Sequence, residues 1–308
     1  MSASFDAARA AAQAVASSQH YPEGSLYVVA TPIGNLADIS LRALHVLQLV
    51  DALACEDTRH SQSLLRAYGI DHPASAWLAV HQHNEASGSE SVLARLRQGQ
   101  RVAFVSDAGT PAISDPGARL VARVQAAGHR VIPLPGASSV TSVLSVSGQW
   151  GDDAGSFVFL GFLSSKTQER LSQVQAIAQE PRAQVVLEAP HRIEPLAQAL
   201  QLLGTRRITV GRELTKQFEE VVTLPAQDLV NWLEGSSHRT RGEFALVVHP
   251  SSPDGGPQSV DDRVLTLLLP ELPLKTAVRL AADITGQARN ALYQQALQWR
   301  ALNRPTEE

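Results

Sequence analysis

Residues 26–50 read LYVVATPIGNLADISLRALHVLQLV, and the organisation of most of the chain is visible in this stretch. Its first seven residues are a β-branched apolar run of strand length. A polar loop containing Gly34 follows, and Ser40 stands as N-cap to a segment in which Leu41, Leu44, Leu47 and Val50 recur at helical spacing. Strand, loop and helix in that order are the unit of a parallel α/β sheet.

Working outward, the rhythm repeats about five times. ALAC (52–55), WLAV (77–80), VAFV (102–105) and VIPL (131–134) supply further strands, with helices expected around Leu64, Leu93, Leu120 and Val140. This predicts a doubly wound, mostly parallel α/β domain over 24–150. QWGDDAGS (149–156) interrupts the pattern with Gly and Asp, so a second α/β domain is expected over 151–250. Its strands are FVFLGFL, AQVVLEA, RRITVGREL, FEEVVTL and EFALVVH, with helices near Leu171, from Leu196 to Leu203, and near Leu229. The gap between ITVGREL and FEEVVTL is too short for a crossover helix, so that pair should be antiparallel and the sheet mixed. A flexible linker at 251–260 (SSPDGGPQS at its start) leads to a helical module over 261–308. Residues 1–23 form an N-terminal extension without the basic and apolar regions of a secretory signal, expected as a frayed helix or a disordered end.

A chain of 308 residues has room for two such domains. The lone cysteine, Cys55, excludes an internal disulfide and a thiolate zinc site, and fits a reducing cytoplasm. With 26 basic and 30 acidic residues the net charge is −4, so a polyanion must meet a local patch rather than a basic molecule. No apolar run approaches the ~18 residues of a membrane span, which makes a soluble, cytoplasmic protein the expectation.

In a doubly wound sheet ligands bind beyond the carboxyl ends of the strands. The segments there are TPIGNLAD (31–38), EDTRHS (56–61), HQHNE (81–85), SDAGTPAISDPG (106–117) and PGAS (135–138). None is a GxGxxG or GxxxxGK[ST] phosphate loop, and four of the five carry carboxylates that repel pyrophosphate. Asp38, Asp57 and Asp107 instead suit a cationic or zwitterionic ligand, while Gly34, Gly109 and Gly136 let backbone amides approach. S-adenosylmethionine, with a sulfonium, an amine and a carboxylate but no phosphate, fits. The competing reading of each carboxylate is a cap on the following helix. Cofactor contacts are expected from Pro32 and Gly34 at the first turn, from Asp107, Gly109 and Ile113 beside the central crevice, and from Ala137 and Ser138, where free helix N–H groups can receive a carboxylate. Phe162 and Leu163 are candidates to cover an adenine or, alternatively, plain core residues. His81 and His83 share a strand face but lack a third ligand, so no metal site is expected.

These segments, with CEDTRHSQSLL, HNE, PLPGASS, LEAPHRI, GRELTKQFEE and GEFALVV, resemble in order and spacing the bacterial ribosomal small-subunit RNA 2'-O-methyltransferase I family, within the tetrapyrrole methylase superfamily. The resemblance covers about residues 24–302. It implies S-adenosylmethionine held between two α/β domains, a homodimer, and methylation of a cytidine ribose in small-subunit ribosomal RNA, free or in the assembled small ribosomal subunit. By the same resemblance Lys216, Asp57 and Arg59 are the expected catalytic residues, positioning or activating the ribose hydroxyl. Lys216 serves as a base only where burial or a neighbouring cation lowers its pKa. The alternatives are a ribosome-binding or assembly module without catalysis, and a methylase of a tetrapyrrole. In the tail, Leu274, Val278 and Ala281 share a helical face, the pattern breaks at Thr285-Gly286, and Ala291, Leu292 and Ala296 resume it. From 275 to 304 five basic residues (Lys275, Arg279, Arg289, Arg300, Arg304) face Asp283 alone, a local +4 suited to RNA phosphate.

Overall fold

The computed structural model describes residues 4–81, 85–113, 117–148, 155–250 and 260–302. Helix α1 (Asp6–Ala16) precedes five strand–helix units: β1 (Ser25–Val29) with α2 (Leu41–Leu49), β2 (Ala52–Cys55) with α3 (Thr58–Ala67), β3 (Trp77–Ala79) with α4 (Glu85–Arg97), β4 (Val102–Val105) with α5 (Gly117–Ala126), and β5 (Arg130–Leu134) with α6 (Ser139–Ser147). All five strands are parallel, in the order β3-β2-β4-β1-β5. Every residue of β2 and β4 is buried, which is why ALAC and VAFV are apolar without alternation. One face of the sheet packs on Leu44, Leu47 and Leu65, the other on Leu93, Leu96 and Leu120. The order places the loops after β4, β1 and β5 side by side.

The N-terminal extension is not frayed. Ala12 is fully buried, the Phe5 ring meets Tyr68 edge-on at 4.8 Å, and Arg9 donates to the Gly69 carbonyl at 2.8 Å. Small alanine side chains let α1 lie close against α2, a gain that composition alone does not reveal.

The second sheet uses β6 (Phe157–Phe162), β7 (Ala183–Glu188), β8 (Arg207–Arg212), β9 (Glu220–Pro225) and β10 (Phe244–Val248), with α7 (Thr167–Gln179), α8 (Ile193–Leu200) and α9 (Leu229–Glu234) between them. Its order is β6-β7-β10-β8-β9. β6 and β7 are parallel, β8 and β9 antiparallel as the short gap required, and β10 runs against both of its neighbours. The starts of β9 and β10 therefore lie at the same edge as the ends of β6, β7 and β8.

Both sheets belong to one compact unit, Met1–Ile177 with Arg182–Pro250. The other unit, Ala178–Pro181 with Ser251–Glu308, contains α10 (Val260–Leu268), α11 (Leu274–Thr285) and α12 (Arg289–Leu302). Val278, Ala281, Leu292 and Ala296 pack with Leu265 of α10 and with Leu269 just after it, a helix the periodicity does not separate out, while Ala291 faces solvent. Gly286, at φ 76°, ends α11 in the left-handed conformation a side chain disfavours. The break expected at 149–156 falls mostly, and the linker almost wholly, outside the described residues.

Candidate active site

Three loops of the first sheet are tied together by hydrogen bonds. Thr31 N–H donates to the Gly109 carbonyl at 2.9 Å and Gly109 N–H returns a bond to the Thr31 carbonyl at 3.1 Å. The Thr31 hydroxyl reaches the Ser106 carbonyl at 3.2 Å, and the Thr110 hydroxyl reaches the Ala137 carbonyl at 3.2 Å. Gly109 has φ +78°, and a β-carbon there would stand 3.2 Å from the Ile33 side chain, so this position takes glycine both for its conformation and for the close approach. Ala112, at φ 66°, holds a conformation unusual for a residue with a side chain in the same loop.

A cavity of 280 Å³ lies against these loops and the polar edge of the second sheet. Ile33, Ala108, Gly109, Thr110 and Ile113 line it on one side, with residues 138–140 at the start of α6. Phe162, residues 187–190, Gly211, Leu214, Lys216 and residues 243–245 line it on the other. Of the expected cofactor residues, Gly109, Ile113, Ser138 and Phe162 meet in this lining. Pro32 and Leu163 are buried next to lining or strand-end positions, Gly34 follows Ile33, Ala137 precedes Ser138, and Asp107 is exposed one residue before Ala108. Ser138 caps α6 without using its side chain, so the first N–H groups of this nine-residue helix lack a side-chain cap beside the cavity.

The expected catalytic residues separate. Asp57 and Arg59 are not in the cavity lining. The Asp57 carboxylate is engaged instead as the cap of α3, accepting from the N–H groups of Arg59 at 2.8 Å and His60 at 3.4 Å, which hold it below the ordinary carboxylate range. Arg59, nine-tenths exposed, lies 3.6 Å from that carboxylate. Lys216 does line the cavity. Its ammonium donates to Glu213 at 2.7 Å and to Glu243 at 2.9 Å. Burial works to lower the Lys216 pKa, but these two hydrogen bonds and the two negative charges outweigh it and raise the pKa. The two carboxylates thus favour the charged ammonium, the opposite of the lowered pKa on which a base role for Lys216 depends. For Glu213 burial acts upward, and the bonds from Lys216 and the Glu243 N–H outweigh it, keeping the carboxylate ionised. Glu213 and Thr215 both take positive φ in this loop.

Two acidic side chains of the lining were not singled out from sequence. Glu188, at the end of β7, is completely enclosed. One of its oxygens lies 3.1 Å from Arg192 Nε and accepts from the Ala189 N–H at 2.9 Å, while its other oxygen has no partner among the described residues. Arg192 also donates to the Leu163 carbonyl, tying the ends of β6 and β7 together. Glu243 precedes β10 and is largely exposed. Attention to carboxyl ends of strands misses it because β10 is reversed. His83 lies outside the described residues, and among those described no group of three histidine, cysteine or acidic residues is placed to hold a metal. No described helix is long and apolar enough to cross a membrane.

A parallel sheet and a mixed sheet enclosing one cavity define the tetrapyrrole methylase fold, a class of methyltransferases. Residues 25–230 match the Tetrapyrrole (Corrin/Porphyrin) Methylases, and 256–300 match the RsmI C-terminal HTH domain. Solved structures with this fold include a cobalt precorrin-4 methyltransferase (TM-score 0.53, 16% identity, 74% of this chain and 98% of that one). Another is the uroporphyrin-III-C-methyltransferase of Thermus thermophilus (TM-score 0.51, 20% identity, 73% and 94%). The "Ribosomal RNA small subunit methyltransferase I" of Pseudomonas aeruginosa is 48% identical over 89% of this chain and 97% of its own. Its namesake in Escherichia coli O157:H7 is 44% identical over 90% and 96%. The chain belongs to the tetrapyrrole methylase family and, within it, to the group of these ribosomal RNA small subunit methyltransferases I.

Proposed function

We propose that this chain methylates the 2'-hydroxyl of a cytidine in small-subunit ribosomal RNA, using S-adenosylmethionine. The observation that supports it most directly is the cavity wall itself. Its α6 N-terminus suits a carboxylate, its Gly109 loop lets a ligand approach bare backbone, Phe162, Leu187 and Phe244 offer apolar cover to a purine, and no phosphate loop is present. The residues present thus fit S-adenosylmethionine, which when bound supplies an electrophilic methyl group on a sulfonium. Gly109, Ile113, Ser138 and Phe162 hold it, supported by Pro32, Gly34, Ala137 and Leu163 behind them and by Asp107 at the margin. The protein's part is orientation, reacting atoms being brought to ~3–3.5 Å, and removal of one proton. Lys216, kept charged, positions the hydroxyl. Asp57 caps the helix that carries Arg59, and Arg59, nine-tenths exposed beside that carboxylate, reaches out to an RNA phosphate.

In this reading the protein is cytoplasmic and works as a homodimer, for which Phe157 and Leu160, exposed on the edge strand β6, offer apolar surface. Its partner is ribosomal RNA or the assembled small subunit. The test is mass mapping of ribose methylation in small-subunit RNA from cells with and without the gene, together with isothermal titration of the cofactor. One cytidine methyl is expected to vanish on deletion, and Asp107→Ala and Gly109→Val to weaken binding at least ~10-fold, about 1.4 kcal/mol. Unaltered RNA, or wild-type protein that does not bind the cofactor, overturns the reading in favour of a binding module.

A further inference from the structure

Three titratable side chains line the cavity: Glu188, Lys216 and Glu243. A group that accepts a proton during methyl transfer must reach the reacting hydroxyl, be unprotonated beforehand, and release the proton to water afterwards. Lys216 fails the second condition, since two carboxylates hold its ammonium. Glu188 fails the third, since its side chain is wholly enclosed and balanced by Arg192. Glu243 alone of the three combines a place in the lining with an exposed carboxylate. Its side chain is 71% exposed, and among the described residues only its Oε2 is bound, to Lys216 at 2.9 Å. Its backbone is pinned as well: the Glu243 N–H donates to Glu213 Oε1 at 3.0 Å, and the Glu243 carbonyl accepts from the Glu213 N–H at 2.9 Å.

We infer that Glu243 is the base of the reaction, taking the ribose hydroxyl proton on its Oε1 while Lys216 holds Oε2 in place. The inference rests on the methyl transfer proposed above. The ribose oxygen uses a lone pair to bond the methyl carbon as the carbon–sulfur bond breaks and its electron pair stays on sulfur, leaving a neutral thioether. The hydroxyl proton passes to the Glu243 carboxylate and thence to solvent. A carboxylate is a weak base toward a free alcohol. It suffices here because the oxygen turns strongly acidic as it becomes trivalent on gaining the methyl group, so proton transfer runs downhill late in the step.

The experiment is single-turnover methyl transfer to small-subunit particles at saturating S-adenosylmethionine, with cofactor titration and thermal midpoint measured on the same proteins. Glu243→Gln keeps the size of the side chain and an acceptor for Lys216 but loses the basic oxygen. Its rate should fall by ~10²–10⁴-fold, with cofactor affinity and thermal midpoint close to wild type. Glu243→Asp, which keeps a carboxylate, should recover a large part of that loss, which a purely structural role does not require. A Glu243→Gln rate within about threefold of an active wild type, or a loss matched by an equal loss of cofactor affinity, overturns the assignment while leaving the methyltransferase reading intact. Wild-type protein that binds the cofactor and transfers no methyl to the RNA overturns both.

Discussion

Gly34 has φ +152°, and a β-carbon there would lie 2.3 Å from Cγ and 2.8 Å from Cε of Lys216. The lysine stem thus rests on the bare backbone of the first loop while its ammonium is tied to Glu213 and Glu243. A side chain at 34 forces the lysine stem aside and so disturbs the hold of its ammonium on those carboxylates. Gly34→Ala should accordingly cost more than ~1 kcal/mol from the backbone conformation alone, and slow single-turnover methyl transfer more than it weakens cofactor binding. Melting and transfer rate check it together, and a wild-type rate would show that the position of Lys216 is immaterial. His249 offers a residue-scale prediction in pH. It is buried, 2.8 Å from the Thr209 hydroxyl, which in turn lies 2.7 Å from that of Thr223. Burial first, then the charges of Arg207 and Arg206, hold its pKa below the ordinary 6.5. The unfolded chain therefore takes up this proton more readily, so His249 lowers stability as pH falls below about 6.5, and the loss levels off once the folded-state pKa is passed. Urea unfolding across that range should show the slope, and His249→Gln should flatten it. Much at this scale was legible as residue type. Gly109, Ser138 and Lys216 stand out by their loops, but the carboxylates that decide the charge of Lys216 come from residue 213 and from residue 243, and sequence alone gave no sign that they meet on one ammonium.

The strands were the legible elements, because a strand buried on both faces must be an unbroken apolar run, as ALAC and VAFV are. The antiparallel β8–β9 pair was legible too, from a gap too short to cross a sheet. What hid Glu243 was direction: β10 enters the site edge by its first residues, Phe244 pairing with both Glu188 and Arg212. Helix α1 was misread for another reason. Its run DAARAAAQAVA has little apolar area per residue, and its attachment depends on Tyr68 and Gly69, far off in sequence. Since Phe5, Ala8 and Ala12 pack into the core with α2, deleting residues 1–17 should cost roughly 2–3 kcal/mol. That corresponds to a fall of roughly 5–10 °C in thermal midpoint. No α1 residue lines the cavity, so cofactor titration should not change. An unchanged midpoint would return α1 to the frayed end that composition suggested.

At the scale of the whole molecule the cavity is lined entirely by residues of the first compact unit, whereas the helical module has a core of its own. Cofactor binding and RNA docking are therefore separable functions in the proposed reading. The charge of the module sets how strong its docking contribution can be. From 275 to 304 it is five basic against one acidic, but over 261–308 the six basic residues (Arg263, Lys275, Arg279, Arg289, Arg300, Arg304) meet six acidic ones (Asp261, Asp262, Glu271, Asp283, Glu307, Glu308), a net of zero. The basic character is confined to α11, α12 and the residues just after them. Within it Arg279 and Arg289 already share Asp283, at 3.6 Å and 3.1 Å, while the side chain of Arg300 and all of Arg304 lie outside the described residues. Phosphates must compete with Asp283 for two of the arginines, so a few contacts are expected rather than a polyelectrolyte grip. Truncation after Pro250 should leave cofactor titration unchanged and weaken RNA binding. The slope of log affinity against log salt should become shallower by about 2–3, each phosphate contact being worth ~0.7–0.9. Asp283→Asn in the full chain should act oppositely, freeing both arginines and steepening the slope. Equal slopes for intact and truncated protein would assign the module to folding or to dimerisation, and the phosphate contacts would then have to come from the first unit, where exposed Arg59 is the first residue to test.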